Sequence, residues 1–233
     1  MPAPYSLKIF LPEGDPDGVR TIEKSNWTGH GLVFPRSLLS EAKKRKELKR
    51  TGVYVLVGQD EGSALPHVYI GEGDPVLGRL ESHSAKRDFW TMCVSFTSKD
   101  ESLNKAHVQY LESKLISLAS AAKLCDIQNG NAPELPSLSE ADEADAAGFL
   151  DELLATERAS VAAISKGMDV EFLNALVFGD TDQAVEVLQH GVHTSVGHEA
   201  HEVQRRALRL HIGNRSLKCN AILYRARFDA LVN

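Results

Sequence analysis

Cysteine is scarce in this chain, and what little there is forms no pattern. Its 233 residues hold three cysteines, Cys93, Cys125 and Cys219, with no CxxC pair. An odd, scattered set supports neither a disulfide framework nor a cysteine zinc site, and it suits a reducing compartment. Long apolar runs are missing too. No window reaches the length needed to cross a bilayer, and the opening "MPAPYSLKIFLPEGD" lacks a basic stretch followed by an apolar one. The expectation is a soluble, cytoplasmic protein with no membrane partner. There is no internal repeat, which excludes a solenoid. With 42% hydrophobic residues the chain can nevertheless bury a substantial core.

Positive charge is in the minority, since the formal net charge is -6. The average hides local fields of both signs. Arg36, Lys43, Lys44, Arg45, Lys46, Lys49 and Arg50 crowd one segment, and Arg205, Arg206, Arg209, Arg215, Lys218, Arg225 and Arg227 form a second. Between them every charge from Glu134 to Glu157 is acidic. A phosphate backbone meets the local field and not the mean, so Arg36, Lys43, Lys44 and Lys46 are candidate DNA contacts. The plain alternative is a solvated helix face.

"YSLKIFL" and "GVRTIEK" read as strands and "SNWTGHGLVFP" as a glycine-bearing loop, leading into a basic helix "RSLLSEAKKRKELKR" with Ser37 as a cap. Trp27 in that loop reads as a core anchor. "GVYVLVG" and "HVYIG" are strands of a hairpin across "QDEGSALP". Pro75 opens a helix, "PVLGRLESHSAKR". "FWTMCVSFTS" is a further strand, and Ser102 is placed to cap the long helix "LNKAHVQYLESKLISLASAAK". "LCDIQNGN" is a short extended piece.

The order hairpin, helix, strand, helix, together with "GVY" and "YIG", is similar to the GIY-YIG endonuclease family. The resemblance covers Thr51 to about Asn131, and the segment before it looks like the leader of bacterial members. It implies an α+β fold, a small three-stranded antiparallel sheet flanked by helices, with a β-containing leader and a helical C-terminal region. Boundaries follow at 1–50 for the leader, 51–133 for the catalytic domain, 134–157 for an acidic linker or helix, and 158–233 for a helical region without assigned role. The resemblance also implies a catalytic set of Tyr54, Tyr69, Arg79, His83 and Glu112, with Asn129 or Asn131 of "QNGN" as the family's late asparagine. Glu112 would hold the metal, Mg2+ or Mn2+, and DNA would be the substrate.

The chemistry suits these residue types. A carboxylate holds a hard cation through oxygen, and an arginine fork matches phosphate oxygens. Arg79 and His83 lie four apart and share a helix face. Tyr54 is the family's usual base, but a phenol near ~10 needs cations to depress its pKa, whereas a histidine near ~6.5 needs none, so His83 either takes the proton or relays it. Tyr69 would hydrogen-bond the phosphate or orient the water. One departure stands out: "YIGEGDP" puts Glu72 and Asp74 where some members carry a lysine that lowers the tyrosine pKa. Those acids point outward, or His83 bears more of the base role. The rival function is a non-catalytic nucleic-acid or protein-interaction module that keeps the fold.

The tail carries His190, His193, His198 and His201, with HxxH spacing twice. Such spacing can share a zinc ion on a helix. No cysteine accompanies them and Gly191 interrupts the first pair, so they read as solvated histidines.

Overall fold

The computed structural model describes residues 4–164 apart from 61, 64, 131 and 132. The histidine-rich tail, the second basic stretch and Asn131 therefore lie outside the described residues. The class is α+β, as expected. Seven strands form one sheet: β1 (Leu7–Phe10), β2 (Arg20–Lys24), β3 (Gly29–Pro35), β4 (Gly52–Gly58), β5 (His67–Gly73), β6 (Met92–Ser98) and β7 (Asp126–Ile127). Their order is β1-β2-β3-β6-β4-β5-β7. The expected trio β6-β4-β5 is present, but as the middle of a larger sheet and not as a sheet of three. The reason lies in the segment read as a loop. Gly29–Pro35 pairs with β6 along its whole length, Gly29 opposite Ser98 and Pro35 opposite Met92. Its buried Leu32, Val33 and Phe34 give both faces of the sheet something to pack on.

Alternation sorts the side chains into two cores. Val53, Val55 and Val57 of β4, Val68 and Ile70 of β5, and Val94 and Phe96 of β6 pack with Val108, Leu111 and Leu115 of α3 (Lys105–Ala122). Phe149, Leu150 and Leu153 of α4 (Glu140–Ile164) complete that layer. The intervening Tyr54, Leu56, Tyr69 and Cys93 face the other way. They meet Leu39 and Ala42 of α1 (Leu39–Ala42) and Val76 and Leu80 of α2 (Val76–Lys86). Trp27 is the anchor expected of it, its ring centroid 5.0 Å from that of Phe149 and 6.3 Å from that of Phe96. The acidic segment is thus an amphipathic helix, with Lys24 of β2 paired to Glu152.

Three local expectations need correction. The basic stretch is not one helix: a 3-10 turn (Arg36–Leu38), α1 and a second 3-10 turn (Glu47–Lys49) break it up. Pro35 and not Ser37 precedes the first turn, and no side chain caps it. On α3 the cap is Asn104 and not Ser102: its side-chain oxygen accepts from the His107 N–H at 3.0 Å. Ser102 is used instead in the preceding loop, where its N–H donates to Asp100 at 3.2 Å. No helix among the described residues is long and apolar enough to cross a membrane.

Candidate active site

Strand register brings the two motif tyrosines together. Tyr54 of β4 stands opposite Gly71 of β5, and Tyr69 stands opposite Leu56, so the tyrosines are diagonal neighbours on one face. Their ring centroids are 6.3 Å apart. Gly71 is required there: a Cβ on it would fall 2.6 Å from Cζ of Tyr54, on top of the phenol. Gly52 of "GVY" is equally constrained, since its Cβ would lie 2.7 Å from Cγ2 of Thr97 and closer still to the Phe96 carbonyl oxygen. Both motif glycines are thus steric requirements of the site's own packing.

Helix α2 lays His83 over this pair. The imidazole centroid is 4.6 Å from that of Tyr69 and 5.9 Å from that of Tyr54. Arg87, one turn further on, stacks its guanidinium 4.3 Å from the Tyr69 centroid. His83 is half-buried, and that burial, with Arg87, Arg79 and Lys86 adding positive charge, lowers its pKa to about 4. It is therefore neutral across the physiological range, with a lone pair able to accept a proton. Tyr54 is fully enclosed. Burial, reinforced by Tyr69, pushes its phenol well above the ordinary value, and the Arg79 guanidinium only partly offsets this. The cation invoked to activate Tyr54 is present, yet burial outweighs it.

Arg79 is exposed on the first turn of α2, just beyond β5, and acts on groups from both faces of the sheet. Although burial disfavours its charge, Tyr54, Tyr69 and Glu72 outweigh that and raise its pKa, holding the guanidinium charged. The same guanidinium acts on Glu112. It can do so because β5 is barely covered on that side: β7 pairs only with His67 and Val68. Asn129 then caps the next position. Its carboxamide oxygen accepts from the Ile70 N–H at 3.0 Å, and its NH2 donates to the Ile70 carbonyl at 2.7 Å. Each end of this side chain holds a backbone group of Ile70, so Asn129 positions the open edge of β5.

Glu112 lies on α3, on the other face of the sheet, half-buried. Burial and the nearby Glu72 raise its pKa to about 7, against the pull of Arg79, Lys105 and a hydrogen bond from the Glu72 N–H. Glu72 itself answers the question its motif raises. It shares the parity of Val68 and Ile70, so it points towards α3 and away from the tyrosines, buried, with Lys105 Nζ donating to its Oε1 at 2.6 Å. Asp74 stays at the surface and accepts from Thr51 Oγ1 at 2.6 Å. The acids thus avoid the phenols by facing the opposite way, one inward and one outward. Lys105 and Arg87 were not singled out from the sequence, and Glu72 stood out there only as an acid close to the tyrosines. The signals that point to them are the period-2 parity of β5 and the seven-residue step from Lys105 to Glu112, two turns along one helix stripe.

Among the described residues no three His, Cys, Asp or Glu side chains converge as a metal cage. The pair of Glu72 and Glu112 is nonetheless a fitting donor set for Mg2+. That ion takes one or two carboxylates and keeps several waters, and Glu72 Oε2 is enclosed without a hydrogen-bond partner among the described residues.

The basic residues divide. Arg36 is committed within the fold: its guanidinium donates to the Ser84 and Asp88 carbonyls at 3.1 and 2.9 Å, pairs with the Asp88 carboxylate at 2.8 Å and stacks on Trp90 at 5.1 Å. Lys43 pairs with Glu81 at 3.2 Å. Lys44 and Lys46 are exposed. A cleft of roughly 180 Å³ beside them is lined by Glu23, His30, Lys46, Glu47, Arg50 and Lys99. No protein-family model, curated protein or solved structure matches this chain.

Proposed function

We propose that this chain is a Mg2+-dependent DNA endonuclease of the GIY-YIG kind, hydrolysing phosphodiester bonds. The observation that carries the reading is the position of Arg79: one exposed guanidinium acts at once on the phenols of Tyr54 and Tyr69 and on the carboxyls of Glu72 and Glu112, with a neutral His83 against Tyr69.

In this reading Arg79 takes two phosphate oxygens through its fork, and the buried Tyr54 hydroxyl fixes the guanidinium from behind. His83 accepts the proton of the attacking water, because it is already unprotonated at neutral pH. Tyr54, enclosed and with its pKa raised, serves better as a positioning group than as the base. Tyr69, clamped between His83 and Arg87, orients the imidazole. Glu112 would hold the cation, whose role when bound is to neutralise charge on the phosphoryl and leaving oxygens. The exposed Lys44 and Lys46 would meet the DNA backbone away from the scissile bond.

The test is incubation of the purified protein with supercoiled, branched and single-stranded DNA, with and without Mg2+. Cleavage in at least one Mg2+ arm is expected. Arg79→Ala should lose at least 100-fold in rate, and Arg79→Lys should recover little of it. Glu112→Gln should cut nothing measurable while keeping the wild-type thermal transition. Binding without cleavage in every arm would leave only the non-catalytic module.

A further inference from the structure

We infer that Glu72 shares the cation with Glu112, and that Lys105 stands in the cation's place when no metal is bound. The inference rests on the nuclease reading for its purpose, but on separate observations for its substance. Glu72 carries a carboxylate whose side chain is only 10% exposed, an expensive position for an acid. Lys105 satisfies Oε1 and leaves Oε2 enclosed without a hydrogen-bond partner among the described residues. An orphaned buried oxygen next to a second carboxyl is a costly arrangement with no structural gain of its own. A divalent cation between the two would satisfy it.

The neighbourhood is tied together by backbone. Helix α3 packs against β5, and Glu72 lies near enough to Glu112 to act on its carboxyl, so strand and helix hold the two acids near each other. Lys105 stands about 10 Å before Glu112 along α3, and its ammonium reaches Glu72. Its side chain is 53% exposed, so it can swing to solvent at little cost once a stronger cation arrives. Glu72 then has two states: it pairs with an ammonium in the metal-free protein and with Mg2+ in the loaded one.

Direct binding of Mn2+ alone to the full chain tests this, by calorimetry and by the Mn2+ electron paramagnetic resonance signal, without DNA. Wild type should bind one Mn2+. Glu72→Gln and Glu112→Gln should each weaken binding at least 10-fold, whereas Lys105→Met should tighten it severalfold. Wild-type affinity in Glu72→Gln alongside weakened binding in Glu112→Gln overturns the inference while leaving the nuclease reading intact. Loss in both variants with no DNA cleaved by wild type upholds the shared site and sinks the nuclease. No bound Mn2+ in wild type at millimolar metal overturns the inference. Should circular dichroism show Glu72→Gln unfolded, Lys105→Met decides, and unchanged affinity there overturns it.

Discussion

His83 shows how a side chain's role is set by what surrounds it. In isolation an imidazole titrates near ~6.5 and would give a rate rising through that value. Here burial and three cations move it to about 4. The folded protein therefore holds His83 neutral where the unfolded chain would already be protonated. Its contribution to stability is complete above about pH 6.5 and is lost as pH falls towards 4. Glu112 opposes it within that window. Its raised pKa makes the folded state hold a proton longer than the unfolded one, so stability falls as pH rises from about 4.5 through 7. The two slopes partly cancel in any global measurement. The ring proton of His83 followed by NMR isolates one of them: its midpoint should lie near 4, and the cleavage rate should show no His83 limb between about pH 5.5 and 8. A midpoint near ~6.5 would show that neither burial nor the charges of Arg87, Arg79 and Lys86 act on the ring as described.

At the scale of elements, the hairpin of β4 and β5 and the helix α2 carry most of what was legible beforehand. Tyrosine next to glycine on two alternating runs specifies a shared face, and the spacing of four from Arg79 to His83 specifies a shared helix side. These are local periodicities, and local periodicity survives folding. Hidden were the relations between elements. Nothing in "SNWTGHGLVFP" announces a strand, because glycines at Gly29 and Gly31 mask the alternation and β6 supplies the pairing. Ser102 and Asn104 are both plausible caps by type, and tertiary fit chose Asn104. Glu72 looked like an obstacle to the tyrosines until strand parity turned it to the opposite face. Gly71 offers the sharpest check of this packing. Gly71→Ala must displace the Tyr54 ring and with it Arg79, so cleavage should fall at least 10-fold with a destabilisation of about 1–3 kcal/mol. Gly78→Ala is the matched control: its Cβ would meet nothing within 4 Å, and in the first turn of α2 it should stabilise by up to about 1 kcal/mol without loss of activity. Equal effects in the two variants, read from thermal melts and plasmid nicking, would remove the cradle from the explanation.

For the molecule as a whole, net charge is a poor guide to the local field that the proposed DNA partner would meet. Acidic residues gather on α4, while Lys44 and Lys46 stand exposed near α1. DNA affinity should therefore fall with salt despite the formal charge of -6. Replacing Lys43, Lys44 and Lys46 together by Gln should flatten the plot of log affinity against log salt by about 2, the share of Lys44 and Lys46 at roughly 0.9 per phosphate, since Lys43 is held by Glu81. A slope unchanged by the triple replacement would assign these lysines to solvent. Arg36 belongs to a different category: its removal should loosen the end of α2 through the lost carbonyl contacts more than it weakens binding.

The run of pairing between β3 and β6 bears on portability. A nuclease core that ended at its own three strands could be cut out and fused to a new targeting domain. In this chain the outer edge of β6 is covered from Gly29 to Pro35, so an excised piece beginning at Thr51 would present seven unpaired residues of an aromatic, β-branched strand to any other chain in solution. The leader is therefore part of the smallest unit that can be moved: an engineered fusion has to carry it along, and its added domain is better joined elsewhere.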